Sequence, residues 1–323
     1  MPVDESTAAI RGQRPVTPEQ YRVFSVNMSE LKRILASAPL EFTDEARAMQ
    51  IIFEIPTPDG RMERFRLEES PMLAASVAAQ FPTWKTFSGQ GIDDPTATAR
   101  FDININGFHG YVSGINGTYL VDPYVRDDGK HYIVYYKGDL TSGEPFSCSV
   151  DGSSIEPGLG SGRVPEYSNG ENLRTLRIAF SATKEYTTFH GNNTTTAFAA
   201  ITTTLNRMIL IYRRELAVTF TLVSNLTTVF SVGNDGGFPD ASNPNVADLS
   251  VTRNQVVLDT AYGDANYDIG HVLSRTGNPN GLAASPSICS TGNKAQGFTG
   301  APTPQGDGFD VDYVAHEIGH QFG

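Results

Sequence analysis

Cysteine is nearly absent from this chain: Cys148 and Cys289 are the only two in 323 residues. Two thiols define no disulfide framework and do not fix a redox compartment. Basic side chains are scarce as well. Lys and Arg number 24 against 36 Asp and Glu, a net charge of −12. That balance argues against nucleic acid and anionic membranes as partners, since both are held by clustered Lys and Arg. No apolar run reaches the length of a membrane span. Met1 to Ser6 carries neither a basic n-region nor an apolar h-region, so no signal peptide is legible.

Hydrophobic residues make up 39% of the chain, enough for real cores, and 31 glycines with 19 prolines predict many turns. The length suits two domains or one large one. Residues 1–20 read as a loose polar tail. Ser29 to Ala38 reads as a short helix with Ser29 as N-cap. Ile51 to Ile55 and Met62 to Leu67 flank Pro58-Asp59-Gly60, a hairpin signal. Pro71 to Gln80 reads as a short Ala-rich helix. Arg100 to Ile105, Gly117 to Val121 and His131 to Lys137 read as strands. Residues 21–150 are thus expected to form a β-rich α+β domain, and 151–171, dense in Gly, Ser and Pro, a linker.

Beyond the linker the period changes. Leu176, Ile178 and Phe180 alternate as in a strand. Phe198, Ile201, Leu205, Met208, Ile209, Tyr212 and Leu216 form a helical stripe, and Val218, Phe220 and Leu222 return to period two. Strand, long helix, strand predicts a βαβ unit with parallel strands. Asp268 to Arg275 reads as a further strand, with short segments at Gly281 to Ala283 and Gln296 to Thr299. The chain then reaches His316-Glu317-Ile318-Gly319-His320. Residues four apart share a helical face. His316 and His320 can therefore aim two imidazoles at one zinc ion, with Glu317 beside them as a proton acceptor. Val311, Val314, Ala315, Ile318 and Phe322 give that helix a buried stripe, and Asp307, Asp310 and Asp312 suit its N-terminal end.

Ala315 to Gly323 resembles the metzincin zinc-binding motif H-E-x-x-H-x-x-G-x-x-H through its glycine. The order of elements over 173–323 is similar to the N-terminal subdomain of adamalysin/reprolysin-like peptidases, with a twisted mixed sheet, a long helix and a zinc-motif helix. The expected fold is α/β. The resemblance implies His316 and His320 as zinc ligands and Glu317 as general base. It also implies Gly281, Leu282 and Ala283 as the edge strand that pairs with a protein or peptide substrate. It makes residues 21–150 propeptide-like and 172–323 the N-terminal part of a catalytic domain. The third histidine and the methionine turn of the pattern are not in these 323 residues. The expectation is therefore a C-terminally truncated precursor, inactive by itself. Close packing is expected to explain Gly319, and a turn with positive φ to explain Gly323. Little lysine and many Asn, Ser and Thr suggest a secreted, extracellular bacterial protein.

Other readings stay open beside this one. A non-catalytic adhesion or binding protein on a metzincin-like scaffold would keep the same fold. A zinc hydrolase of another clan would take a downstream glutamate as third ligand, although a continuing helix would not favour Gly323. Cys148 reads in two ways: a thiolate that occupies the zinc and keeps a zymogen latent, or a buried thiol or partner of Cys289. His109, His131, His190 and His271 read as structural or loop histidines. Asp259, Asp264 and Asp268 could join a calcium site, but their spacing matches no calcium loop, and solvated acids are expected.

Overall fold

The computed structural model describes residues 1–4, 12–126, 128–140, 146–148 and 172–323. The linker expected at 151–171 lies outside them. The chain forms two compact units. The first comprises Met1–Gly143, Thr195–Leu210 and Gln305–Asp310; the second comprises Glu144–Thr194, Ile211–Pro304 and Val311–Gly323.

In the first unit, short turns between alternating segments produce antiparallel pairing throughout. The elements are β1 (Arg22–Ser25), α1 (Met28–Leu35), α2 (Asp44–Ala48), β2 (Ile51–Pro56), β3 (Met62–Glu69), α3 (Ala75–Ala78), β4 (Lys85–Gly91), β5 (Thr98–Asn104), β6 (Gly107–Gly114), β7 (Gly117–Pro123) and β8 (His131–Tyr136). They build an eight-stranded sheet in the order β1-β8-β7-β6-β5-β4-β3-β2. One face buries Phe53, Phe65, Phe87, Phe101, Val121 and Val134 with Leu31 and Leu35 of α1. The expected hairpin is β2–β3, turned at Gly60 with φ 86°. Three strands were not legible. β1 is only four residues long, and β4 and β6 carry glycines that read as loop. Gly89 and Gly110 instead make room for the Phe101 ring, which a Cβ at either position would crowd. The cap of α1 is Asn27, whose side chain accepts from the Glu30 amide at 3.2 Å, rather than Ser29. Asparagine caps as well as serine does, and starting at Asn27 leaves Leu31 and Leu35 on the buried face.

The second unit holds β9 (Ser147–Cys148), β10 (Arg174–Ala182), α4 (Lys184–Phe189), β11 (Val218–Leu222), α6 (Val246–Tyr262), β12 (Ile269–Arg275), β13 (Asn280–Ala283), β14 (Gly297–Ala301) and α7 (His316–Phe322). Two helical segments run from one unit into the other: α5 (Thr194–Leu216) and a π-helix over Gly308–Ala315. The sheet order is β11-β10-β12-β14-β13-β9. β10 lies parallel to both β11 and β12, and β12 parallel to β14, so β10–α5–β11 is the expected parallel crossover. β13 turns back antiparallel to β14, and β9 pairs parallel to β13 on its other side. The fold is mixed α/β. The helix α6 was not anticipated, because polar residues interrupt its buried stripe. Ser250, Asn254 and Gln255 are buried, while Leu249 and Val256 stay about half exposed. Asn254 donates to the Ala295 carbonyl at 2.7 Å and Gln255 accepts from the Ala295 amide at 2.8 Å. Polar residues that satisfy backbone groups inside erase the apolar period.

Candidate metal centre

The π-helix over 308–315 gives way to α-helical winding at His316. Such wide turns are rare and tend to mark functional sites. The rear of α7 is fixed by the second unit. Ile318 and Gln321 are fully buried. The Gln321 amide donates to the carbonyls of Gly270 at 3.2 Å and Lys294 at 3.1 Å, and its oxygen meets His271 Nδ1 at 3.3 Å. His271 Nε2 meets Thr299 Oγ1 at 2.8 Å. Burial lowers the His271 pKa to about 4, so this imidazole is neutral at pH 7. It is a satisfied structural histidine, as expected. Tyr212 of α5 donates to the Ala315 carbonyl at 2.8 Å, and its ring packs near Phe220 and Phe322. With one side of α7 committed in this way, the i, i+4 spacing brings His316 and His320 together at the more accessible face.

Their Nε2 atoms are 3.1 Å apart. Cys148 Sγ lies 3.3 Å from His320 Nε2, and one donor atom from each of the three residues falls within 4.8 Å of the others. Tetrahedral zinc with Zn–N of about 2.0–2.1 Å and Zn–S of about 2.3 Å would separate such donors by roughly 3.3–3.6 Å. The donor set therefore fits zinc in chemistry, and its two shortest separations lie near that spacing. Among the described residues it is the only such group of His, Cys, Asp and Glu. Burial and the neighbouring His316 both lower the His320 pKa, which favours the neutral imidazole that a metal requires.

Glu317 is fully buried, and neither carboxylate oxygen has a hydrogen-bonding partner among the described residues. Burial pushes its pKa up to about 7, against a smaller downward pull from the Cys148 thiol. An unpartnered buried carboxylate is costly and needs a compensating role. Its neighbour on β13 is Gly281, where an added Cβ would overlap the carboxylate. Gly281→Ala is therefore expected to destabilise the chain by about 1–3 kcal/mol through overpacking. An unchanged urea midpoint would show that the Glu317 side chain yields freely.

The segment around Cys148 lies along the same strand edge. Ser147 pairs with Asn280, and Cys148 with Gly281. Phe146 stacks on Tyr313 at 4.3 Å and 11°, with its ring edge-on to His316 at 5.7 Å. Residues two apart in a strand share a face, so Phe146 and Cys148 both look toward the motif helix. Neither Phe146 nor Tyr313 was legible as part of this site, because nothing local links position 146 to position 313.

The remaining expectations resolve individually. Cys148 and Cys289 are both exposed and are not joined to each other in a disulfide. His190 caps the end of α4, buried, with Nε2 at 3.2 Å from the Pro304 carbonyl oxygen. His109 is buried against Asp102 and His131 rests on Asp128. The three aspartates considered for calcium are neither clustered nor simply solvated. Asp259 accepts from Tyr267, Asp264 pairs with Lys294, and Asp268 pairs with Arg177. Gly319 does not owe its place to tight packing, since a Cβ there would meet Tyr212 Oη at an ordinary 3.7 Å. Gly323 has φ 114°, the expected sign.

Paired histidines one turn apart, with a buried carboxylate between them on α7, form a candidate metal centre. Residues 198–323 match the sequence model of the Metallo-peptidase family M12B, Reprolysin-like. The match covers well under half of the chain and likens that stretch, from within α5 through the motif helix, to reprolysin-like metallopeptidases. Among solved structures, the chain is similar to metalloproteinase-II from Bacteroides fragilis. That likeness has a TM-score of 0.44 and 8% identity, over 90% of this chain and 86% of the other. No curated protein sequence matches. No helix among the described residues is long and apolar enough to cross a membrane.

Proposed function

We propose that the protein is a zinc-dependent endopeptidase made as a precursor, with residues 21–150 as a propeptide-like domain and 172–323 as part of the catalytic domain. The observation that carries this reading is the donor set of Cys148, His316 and His320 beside the buried Glu317. His316 and His320 would hold the zinc. When bound, zinc polarises the scissile carbonyl and acidifies water next to it. Glu317 takes the proton of the attacking water and passes it to the amine nitrogen as the C–N bond breaks. Its raised pKa suits both transfers, because a group near 7 accepts and donates with little bias at neutral pH. A substrate strand would lie along β13 at Gly281, Leu282 and Ala283, held by backbone hydrogen bonds. In the latent form that edge is taken by β9, and Cys148 completes the set of donors around the metal. Residues 1–323 in this state are expected to show no zinc-dependent peptide cleavage. The composition supports secretion as the destination.

Two measurements test the reading. Titration of the chain with zinc should show one tight site, and binding should protect the Cys148 thiol from alkylation. Cys148→Ser removes one of three donors and should lower zinc affinity at least a hundredfold. In an unprocessed precursor with its complete set of ligands, the same change should raise activity. Absence of zinc uptake would leave the non-catalytic scaffold as the better reading. Zinc uptake that is unaffected by Cys148→Ser would remove latency through the thiol while keeping the histidine site.

A further inference from the structure

The buried side of α7 is polar at a place where an apolar side chain would fill the space. Gln321, His271 and Thr299 are all fully buried and stand in a hydrogen-bonded row. Their partners fix their protons. The Gln321 nitrogen faces the carbonyls of Gly270 and Lys294 and, at 3.3 Å, the Ser287 hydroxyl, so the amide oxygen is the end that meets His271. An oxygen there calls for a proton on His271 Nδ1. The neutral ring then accepts the Thr299 hydroxyl proton at Nε2. The backbone makes room for the row, since a Cβ at Gly297 would overlap both His271 Nδ1 and the Gln321 oxygen. The main chain is held at the same point: the Gln321 carbonyl accepts from the amides of Ser287 at 2.9 Å and Ile288 at 3.2 Å. At its far end the row reaches the strand pair beside the metal centre. Thr299 lies opposite Gly281 in the β13–β14 register, and Gly281 is the residue against which Glu317 rests.

We propose that Gln321, backed by His271 and Thr299, is a positioning residue for the metal centre, fixing the rotation of α7 so that His316 and His320 converge on one ion with Glu317 against β13. This role rests on the zinc site of the peptidase reading and deepens it. His271 holds no metal and acts only through Gln321. The helix has seven residues, and Gln321 directly follows the ligand His320. Metal ligands tolerate roughly 10–20° of misorientation. Apolar packing at position 321 would let so short a helix turn by that much, because dispersion has little directional preference. Hydrogen bonds to groups on β12 and on the 287–294 segment are directional and resist the turn. A buried amide is costly unless it is satisfied, and here both ends of the Gln321 side chain have partners. The row thus supplies orientation where a leucine would supply only burial.

The test uses the full chain. Gln321→Met keeps the length of the side chain and removes its amide, and Thr299→Val keeps the shape and removes the hydroxyl. Zinc affinity, read by competition with a chromophoric chelator, should fall about tenfold or more in Gln321→Met and by a smaller factor in Thr299→Val. The visible absorption bands of bound Co²⁺ should move in the same order. In the metal-free chains, the imidazole proton resonances of His316 and His320 should shift in both variants. Urea midpoints measured alongside separate positioning from stability. Zinc affinity and cobalt bands equal to the parent's in a folded Gln321→Met chain overturn the proposal, whatever happens to the midpoint. If Gln321→Met does not fold, Thr299→Val decides by the same readouts. If the parent chain takes up no zinc, the peptidase reading fails, and the histidine resonances of the metal-free chains decide the positioning role by themselves: unshifted resonances overturn it.

Discussion

Glu317→Gln is expected to stabilise the metal-free chain at pH 8 by on the order of 2 kcal/mol and to leave it nearly unchanged at pH 5. The native carboxylate is buried, and burial outweighs the pull of the Cys148 thiol and pushes its pKa up from 4.5 to about 7. A folded pKa above the unfolded one means that the folded state binds the proton more tightly. The associated stability is present below pH 4.5 and is lost as the pH rises through 7. Gln keeps the shape and removes the charge, so its advantage grows across that window. Thermal melts of both proteins between pH 5 and 8, without metal, would measure it. Zinc should still bind the variant through the histidines. On the proposed peptidase reading, the same change in the processed protein should cut turnover by about 10²–10⁴, the usual contribution of a general base. Parallel melting curves at every pH would mean that Glu317 is solvated or paired and would remove the physical basis for its role as base.

The motif helix was legible because its chemistry is local. Two ligands on one face need i, i+4 spacing, and that spacing is visible in His316 and His320. The β10–α5–β11 crossover was legible for a similar reason: Leu176 to Phe180 and Val218 to Leu222 alternate, and Phe198 to Tyr212 repeats with the helical period. Contacts made across the chain were not legible. Cys148 and His320 meet across 172 residues. Their meeting depends on β9 joining the edge of β13, and two residues of strand carry no periodic signal. Gly281 looked like part of an edge strand, yet what it touches is the Glu317 carboxylate, a steric relation that only packing reveals. α6 was missed because tertiary hydrogen bonds from Asn254 and Gln255 outweigh the apolar pattern. In the same way, Asp310 reads as an acid suited to a helix N-terminus, and its buried pairing with Arg207 is visible only in the fold.

The largest expected effect on stability is at Arg207. Its guanidinium is buried, paired with Asp122 and, at 3.0 Å, with Asp310. Tyr135 donates to Asp122 and Thr204 to Asp310. The site thus holds one cation against two carboxylates. Burial already pushes the Asp310 pKa up to about 6, despite the attraction of Arg207. Arg207→Met keeps much of the volume and strands both acids, so it should cost about 3–5 kcal/mol at pH 8. The cost should shrink at pH 5. A carboxylate whose folded pKa is raised contributes stability below its unfolded pKa of 3.8 and loses it as the pH rises through the folded value, and removing the arginine drives that value higher still. Replacing all three residues together, as Arg207→Met with Asp122→Leu and Asp310→Leu, removes the unpaired charge and should recover most of the loss, or exceed the parent in stability. Urea unfolding of the single and triple variants at pH 5 and pH 8 separates the cases. A single variant that loses less than about 1 kcal/mol, equally at both pH values, would show that the acids reach water and that the arginine is not their buried counterion.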